Sequence, residues 1–143
     1  HIGDSRCYRL RAGVLEQITR DHSWLQEQVD AGLITPQQAA MSSSRNLVTR
    51  ALGVEDNVLI EINEFRVEPQ DLYLMCSDGL SEMLRHEELT VLAASNVSLE
   101  EKARRLIDAA NANGGRDNIS VVLVQAGSTQ NKRGFMSRLL RTA

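Results

Sequence analysis

The sequence predicts a single α+β domain, and three observations carry that prediction. Short apolar or alternating runs bounded by Gly, Pro and Asp read as strands. Polar-capped stretches with apolar residues at helical spacing read as helices. The 143 residues, 42% hydrophobic and 24% charged, are enough to bury one core.

Arg6 to Arg11 and Val14 to Thr19 form a predicted hairpin around Ala12-Gly13. Asp21-His22-Ser23 precedes a helix over Trp24 to Ala31, closed by Gly32. His22 and Trp24 are expected to be structural. Thr35, Pro36 and Gln38 supply a capping box and a first-turn proline for a second helix, which runs into Ser42-Ser43-Ser44. Leu47 to Leu52 is a mixed run stopped by Gly53. Leu59 to Val67 alternates in part, as a strand with one wet face does. Leu72 to Cys76 reads as a buried strand ending on Ser77-Asp78-Gly79. A helical turn over Ser81 to Leu84 and a helix over His86 to Ala94 follow. Ser98 and Glu101 form a second capping box before a helix that lines up Ala103, Leu106, Ile107 and Ala110. Asn113-Gly114-Gly115 ends it, and Ile119 to Val124 is β-branched and apolar enough for a buried strand.

Composition excludes some functions. The net charge is −3, so the chain has no overall nucleic-acid signature. Four cations, Lys132, Arg133, Arg138 and Arg141, sit in a tail with no acid after Asp117. Removing them from the 16 basic residues leaves 12 against 19 acidic ones, a net of −7 over positions 1–131. Phe135, Met136, Leu139 and Leu140 give that tail an amphipathic pattern, with a solvated tail expected rather than a membrane anchor. Cys7 and Cys76 lack paired spacing, which argues for free thiols in a reducing compartment. No apolar stretch is long enough to span a bilayer.

Three aspartates stand at strand boundaries in short polar motifs: Gly3-Asp4-Ser5, Ser77-Asp78-Gly79 and Arg116-Asp117-Asn118. One reading is an Asx-type turn at each. The other brings the strand ends together, where the carboxylates would repel unless a cation joined them. Oxygen-only donors favour Mg2+ or Mn2+ over zinc. The three histidines are scattered along the chain and suggest no competing cluster. There is neither a GxxxxGK phosphate loop nor a G-x-S-x-G nucleophile elbow. Gly79 has no Cβ, so another group can approach the backbone there.

Gly3-Asp4-Ser5-Arg6, Cys76-Ser77-Asp78-Gly79-Leu80-Ser81 and Gly115-Arg116-Asp117-Asn118-Ile119-Ser120 resemble consecutive motifs of the metal-dependent serine/threonine phosphatases of the protein phosphatase 2C type. Thr19 to Trp24, with Arg45 to Gly53, is similar to the flap region of the bacterial branch. The resemblance covers about residues 1–125. It implies two antiparallel sheets packed face to face with helices outside. It also implies a centre of two or three Mg2+ or Mn2+ ions that activates water toward phosphoserine or phosphothreonine. Carried over by motif, Asp78 and Asp117 ligate the first ion, and Asp4 joins Asp78 at a third. Asn118 and Gly79 support those ligands, and no residue beyond the ligands is expected to be catalytic.

The family's N-terminal motifs, among them an Asp-Gly-x-Gly-Gly segment whose aspartate bridges two ions, have no match here. Residues 1–127 are therefore expected to be the C-terminal part of a catalytic domain, with the flap at about 20–53 and a basic tail at 128–143. Arg6, Arg20 and Arg116 lie near the motifs without being assigned to phosphate. The isolated chain is expected to be inactive and to self-associate through unpaired strands. Expected partners are phosphorylated proteins and a cognate Ser/Thr kinase in bacterial cytoplasmic signalling, not nucleic acid or membrane. The alternative is a catalytically inactive, phosphatase-like interaction module.

Overall fold

The computed structural model describes residues 1–42, 47–54 and 57–127. Ser43 to Asn46 of the flap motif and the tail from position 128 lie outside the described residues. The strands are β1 (Arg6–Arg11), β2 (Val14–Gln17), β3 (Leu72–Cys76) and β4 (Val121–Gln125). The helices are α1 (Trp24–Asp30), α2 (Pro36–Met41), α3 (Asp78–Ser81), α4 (His86–Ala94) and α5 (Leu99–Ala112). One antiparallel sheet runs in the order β2-β1-β3-β4.

The hairpin forms because Ala12 and Gly13 both take positive φ, at 49° and 82°, the geometry whose twist matches flanking strands. Tyr8 pairs with Leu74, and Leu74 with Leu123. Period two then sends Tyr8, Leu72, Leu74 and Cys76 to one face, where Leu80 from α3, Leu84 from the turn after it, Leu89 and Ala93 from α4, and Leu106 and Ala110 from α5 bury them. Each such apolar side chain contributes roughly 1.5–3 kcal/mol on burial. The opposite face carries Met75, Val122 and Val124, at 39%, 53% and 48% exposure. Both cysteines are free.

The local chemistry explains most elements. Ser23 caps α1 through Gln26 N–H, and Gly32 at φ 70° follows its end. Thr35 and Gln38 make the reciprocal box on α2. At α5 only half the expected box forms. Ser98 Oγ accepts from Glu101 N–H, while the Glu101 carboxylate is taken by Arg104 and Arg105.

Several expectations are corrected. Leu59 to Val67 forms no strand among the described residues. Alternation alone makes no ladder: the segment meets the chain's first residue through a reciprocal pair, Glu61 N–H to His1 O at 3.1 Å and the His1 amino group to Glu61 O at 2.9 Å, and Leu59, Ile60, Ile62 and Val67 are exposed. The turn expected at Ser81 begins earlier, as α3 starts on Asp78. β3 is not an unpaired strand, because β1 and β4 flank it; of the two strands expected to be unpaired only β4 lies at an edge, the other edge being β2. The second sheet is not among the described residues, which leaves one sheet face covered by helices and one open.

Candidate metal centre

The register brings the three aspartate motifs to one end of the sheet, without closing their carboxylates into a cluster as tight as 4.8 Å. Arg6 pairs with Cys76, so Asp4 and Asp78, each two residues beyond the ladder, leave it at the same end, and the Asp78 charge acts on Asp4. Cys76 pairs with Val121, so the loop that leads into β4 brings Asp117 to the same end. Ser77 stitches the two loops together. Its Oγ donates to Asn118 O at 2.9 Å and accepts from Ser120 N–H at 3.0 Å, and its own N–H donates to Ser120 O at 3.1 Å.

Gly79 is required by this approach. A Cβ there would stand 2.4 Å from Asn118 O and 3.3 Å from the Asp117 carbonyl carbon. Sequence reasoning anticipated a close approach at Gly79, and the approaching group is the backbone of Asn118. Sequence reasoning missed Ser77 and Ser120. Their only signal is a small hydroxyl beside each aspartate motif.

Each carboxylate is oriented from beside it. Asp78 Oδ1 accepts from Gly79 N–H at 2.8 Å, and Asp117 Oδ1 accepts from Asn118 N–H at 2.6 Å. Among the described residues, neither Asp78, Asp117 nor Asp4 forms an ion pair. Burial pushes the Asp4 carboxyl up, and the Asp78 charge pushes it further. Oxygen donors at one sheet end, repulsion of Asp4 by Asp78 and the absence of an ion pair at any of the three among the described residues, with only a weak pull on Asp4 from Arg6, suit a hard divalent ion.

Nearby groups are otherwise engaged. Arg6 makes three hydrogen bonds to Asp21 and a fourth to Tyr8 Oη, and its pKa is raised chiefly by its hydrogen bond to Asp21, against the opposing effect of burial. Arg20 pairs with Asp30. Burial pushes the Cys76 thiol up to about 11, so it is not a thiolate at neutral pH. A groove of about 560 Å³ leads from Ser77 and Ser120 along the open face past Cys7, Met75 and Val122. A second groove of about 380 Å³, between α4 and α5, lies among Leu84, Val91, Leu92 and Ala109 and has no chemistry for phosphate.

The histidines are not all scattered. His1, His22 and Glu61 each bring a ligand-type atom within 4.8 Å of the others. The rings of His1 and His22 are 4.9 Å apart. Positions 1, 22 and 61 share no local motif, so only the fold reveals the cluster. Its hydrogen bonds already account for His22. Nδ1 accepts from Gly3 N–H at 3.1 Å, which places the proton on Nε2, 3.0 Å from Glu61 Oε2.

Comparison with known proteins places the chain in a family. Residues 14–127 match the family described as Stage II sporulation protein E. A serine/threonine phosphatase stp of Listeria monocytogenes is 40% identical over 133 residues, covering 93% of this chain and 53% of that protein. The serine/threonine protein phosphatase PstP of Mycobacterium tuberculosis is 46% identical over 125 residues, covering 86% and 24%. The chain belongs to the protein phosphatase 2C-type serine/threonine phosphatase family. The Streptococcus agalactiae serine/threonine phosphatase structure superposes with a TM-score of 0.82 at 33% identity, covering 90% of this chain and 52% of that one. A structure of the PstP catalytic domain in complex with two manganese ions superposes at 0.71, with 41% identity and coverages of 88% and 52%. The chain spans about half the length of most of the relatives it matches. Among the described residues, no helix is long and apolar enough to cross a membrane.

Proposed function

We propose that this protein is a metal-dependent phosphatase acting on phosphoserine and phosphothreonine in proteins. In this reading Asp78 and Asp117 hold one ion, and Asp4 faces Asp78 at another. The supporting observation is the Asp4–Asp78 pair, two carboxylates at one sheet end that act on each other and form no ion pair among the described residues. Mg2+ or Mn2+ bound there would supply a water of lowered pKa and a counter-charge for the phosphoryl oxygens. The manganese in the PstP structure supports that choice of ion.

The chain's own contribution is to hold and orient. Gly79 and Asn118 amides aim the two carboxylates, and Ser77 keeps their loops in register. Burial keeps the Cys76 thiol protonated, and so a poor nucleophile, at neutral pH, and attack by a metal-activated water requires no covalent enzyme intermediate. Phosphorylated proteins, with a cognate Ser/Thr kinase, are the partners this reading implies. Two free thiols support a reducing, cytoplasmic setting.

The test uses the full-length protein that carries this stretch. Asp78→Asn should lower Mn2+-dependent hydrolysis of p-nitrophenyl phosphate by more than about a hundredfold with the fold intact. Retention of most of the turnover would overturn the reading. The 143 residues alone should show negligible turnover, because they contain no match to the Asp-Gly-x-Gly-Gly aspartate that bridges two ions in the resembling family.

A further inference from the structure

Asp4 follows Gly3, and Gly3 is held from both sides by one side chain and its backbone. His22 N–H donates to Gly3 O at 2.9 Å, and His22 Nδ1 accepts from Gly3 N–H at 3.1 Å. Gly3 takes φ +94°, a conformation that leaves the chain direction at Asp4 dependent on whatever holds the glycine. His22 is itself fixed. It is 5% exposed, its carbonyl accepts from Thr49 N–H at 2.8 Å, and Nε2 meets Glu61 Oε2 at 3.0 Å. The imidazole therefore links three distant segments and ends on the residue before a candidate ligand.

We infer that His22 is a positioning residue for the Asp4 carboxylate, setting through Gly3 where Asp4 stands against Asp78. The inference rests on the metal-site reading above. Its chemistry is specific. The position of Nδ1 must offer a bare acceptor to Gly3 N–H, and Glu61 keeps the proton on the other nitrogen. A generic core role would need only the ring's volume. Asparagine places Oδ1 close to where histidine has Nδ1, while glutamine places its polar atoms farther out, near Nε2.

The experiment is Mn2+ binding to the full-length protein, read by electron paramagnetic resonance of free Mn2+, with Asp4→Asn defining the class of site that involves Asp4. His22→Ala and His22→Gln should weaken that class about tenfold. His22→Asn should recover most of the affinity. His22→Ala combined with Asp4→Asn should be no weaker than Asp4→Asn alone, as expected when one residue acts through the other. If His22→Ala fails to fold, the Asn and Gln variants decide by themselves. Equal losses in both, or unchanged affinity in a folded His22→Ala, overturn the inference while a weakened Asp4→Asn keeps the metal site. Unchanged affinity in both Asp4→Asn and Asp78→Asn overturns the metal site and the inference with it.

Discussion

β3 begins after one aspartate and ends before another, and the two are opposites. At its start, Asp71 lies opposite Arg11 and is 1% exposed. It accepts from Arg11 Nε at 2.8 Å, Arg11 Nη2 at 2.6 Å, Glu68 N–H at 2.8 Å and Tyr73 O–H at 3.3 Å. The Arg11 hydrogen bonds hold its carboxyl well below the usual range. At the far end, Asp78 lies near Asp4, and the Asp4 carboxyl is pushed up by burial first and by the Asp78 charge second, with only a smaller opposing pull from Arg6. A carboxylate saturated with donors and a cation is structure. A pair of like charges with no ion pair costs stability, and such costs are commonest where function requires them.

The contrast can be broken from either end. The largest loss of stability is expected from Arg11→Ala, which strands a buried carboxylate. Its melting temperature should fall further than that of any other variant named here. A melt close to wild type would show that Asp71 is solvated or paired in some other way. Gly79→Ala comes next, at roughly 1–3 kcal/mol, because the new methyl meets backbone that cannot swing aside. Chemical denaturation measures it, and an unchanged midpoint would mean that the Asn118 loop yields freely.

Acid sharpens the comparison. The lowered pKa of Asp71 contributes stability that is complete above the ordinary carboxylate range and lost as pH falls through that range toward the folded value. The raised pKa of Asp4 has the opposite sign. Its contribution is complete below the ordinary value and lost as pH rises through the folded one. Melting followed from pH 7 downward should therefore show an acid limb that Asp71→Asn flattens. In the absence of added metal, Asp4→Asn should raise stability at neutral pH by on the order of 0.5 kcal/mol or less, since solvent screens the half-buried site. A loss of stability in Asp4→Asn would mean that the pair is not repulsive.

The smallest effect on stability, and a test of the open face, is Val122→Lys. It should cost no more than about 0.5 kcal/mol. It should also reduce the self-association that light scattering is expected to find in the 143-residue chain. A monodisperse wild-type monomer would remove the reason to expect a partner on that face.

Much of this was legible because it is local. The hairpin follows from Ala12-Gly13, α2 from Thr35-Pro36-Gln38, and the aspartate motifs from strand ends flanked by glycine, serine or asparagine. What remained hidden depends on distant pairing. The partial alternation of Leu59 to Val67 describes a face but not a neighbour, and among the described residues it meets only a two-bond exchange between Glu61 and His1 rather than a strand. Nothing local marks Asp71 as buried and paired, because Arg11, its partner, is 60 residues away. His22 was expected to be structural, and its hydrogen bonds to Gly3 and Glu61 could not be read from a cap motif.

The Ser77 stitch also separates the candidate ligands in time. Asp78 and Asp117 are anchored where β3 and β4 meet, beside the best-buried residues of the sheet. Their mutual spacing should open only in the rare excursions that open the core. Asp4 hangs on a glycine whose holds come from the segment around His22, so its excursions belong to that region and should be more frequent. An ion held by the first pair would have its residence time governed by the core, whereas one that needs Asp4 would exchange on the faster clock of the flap.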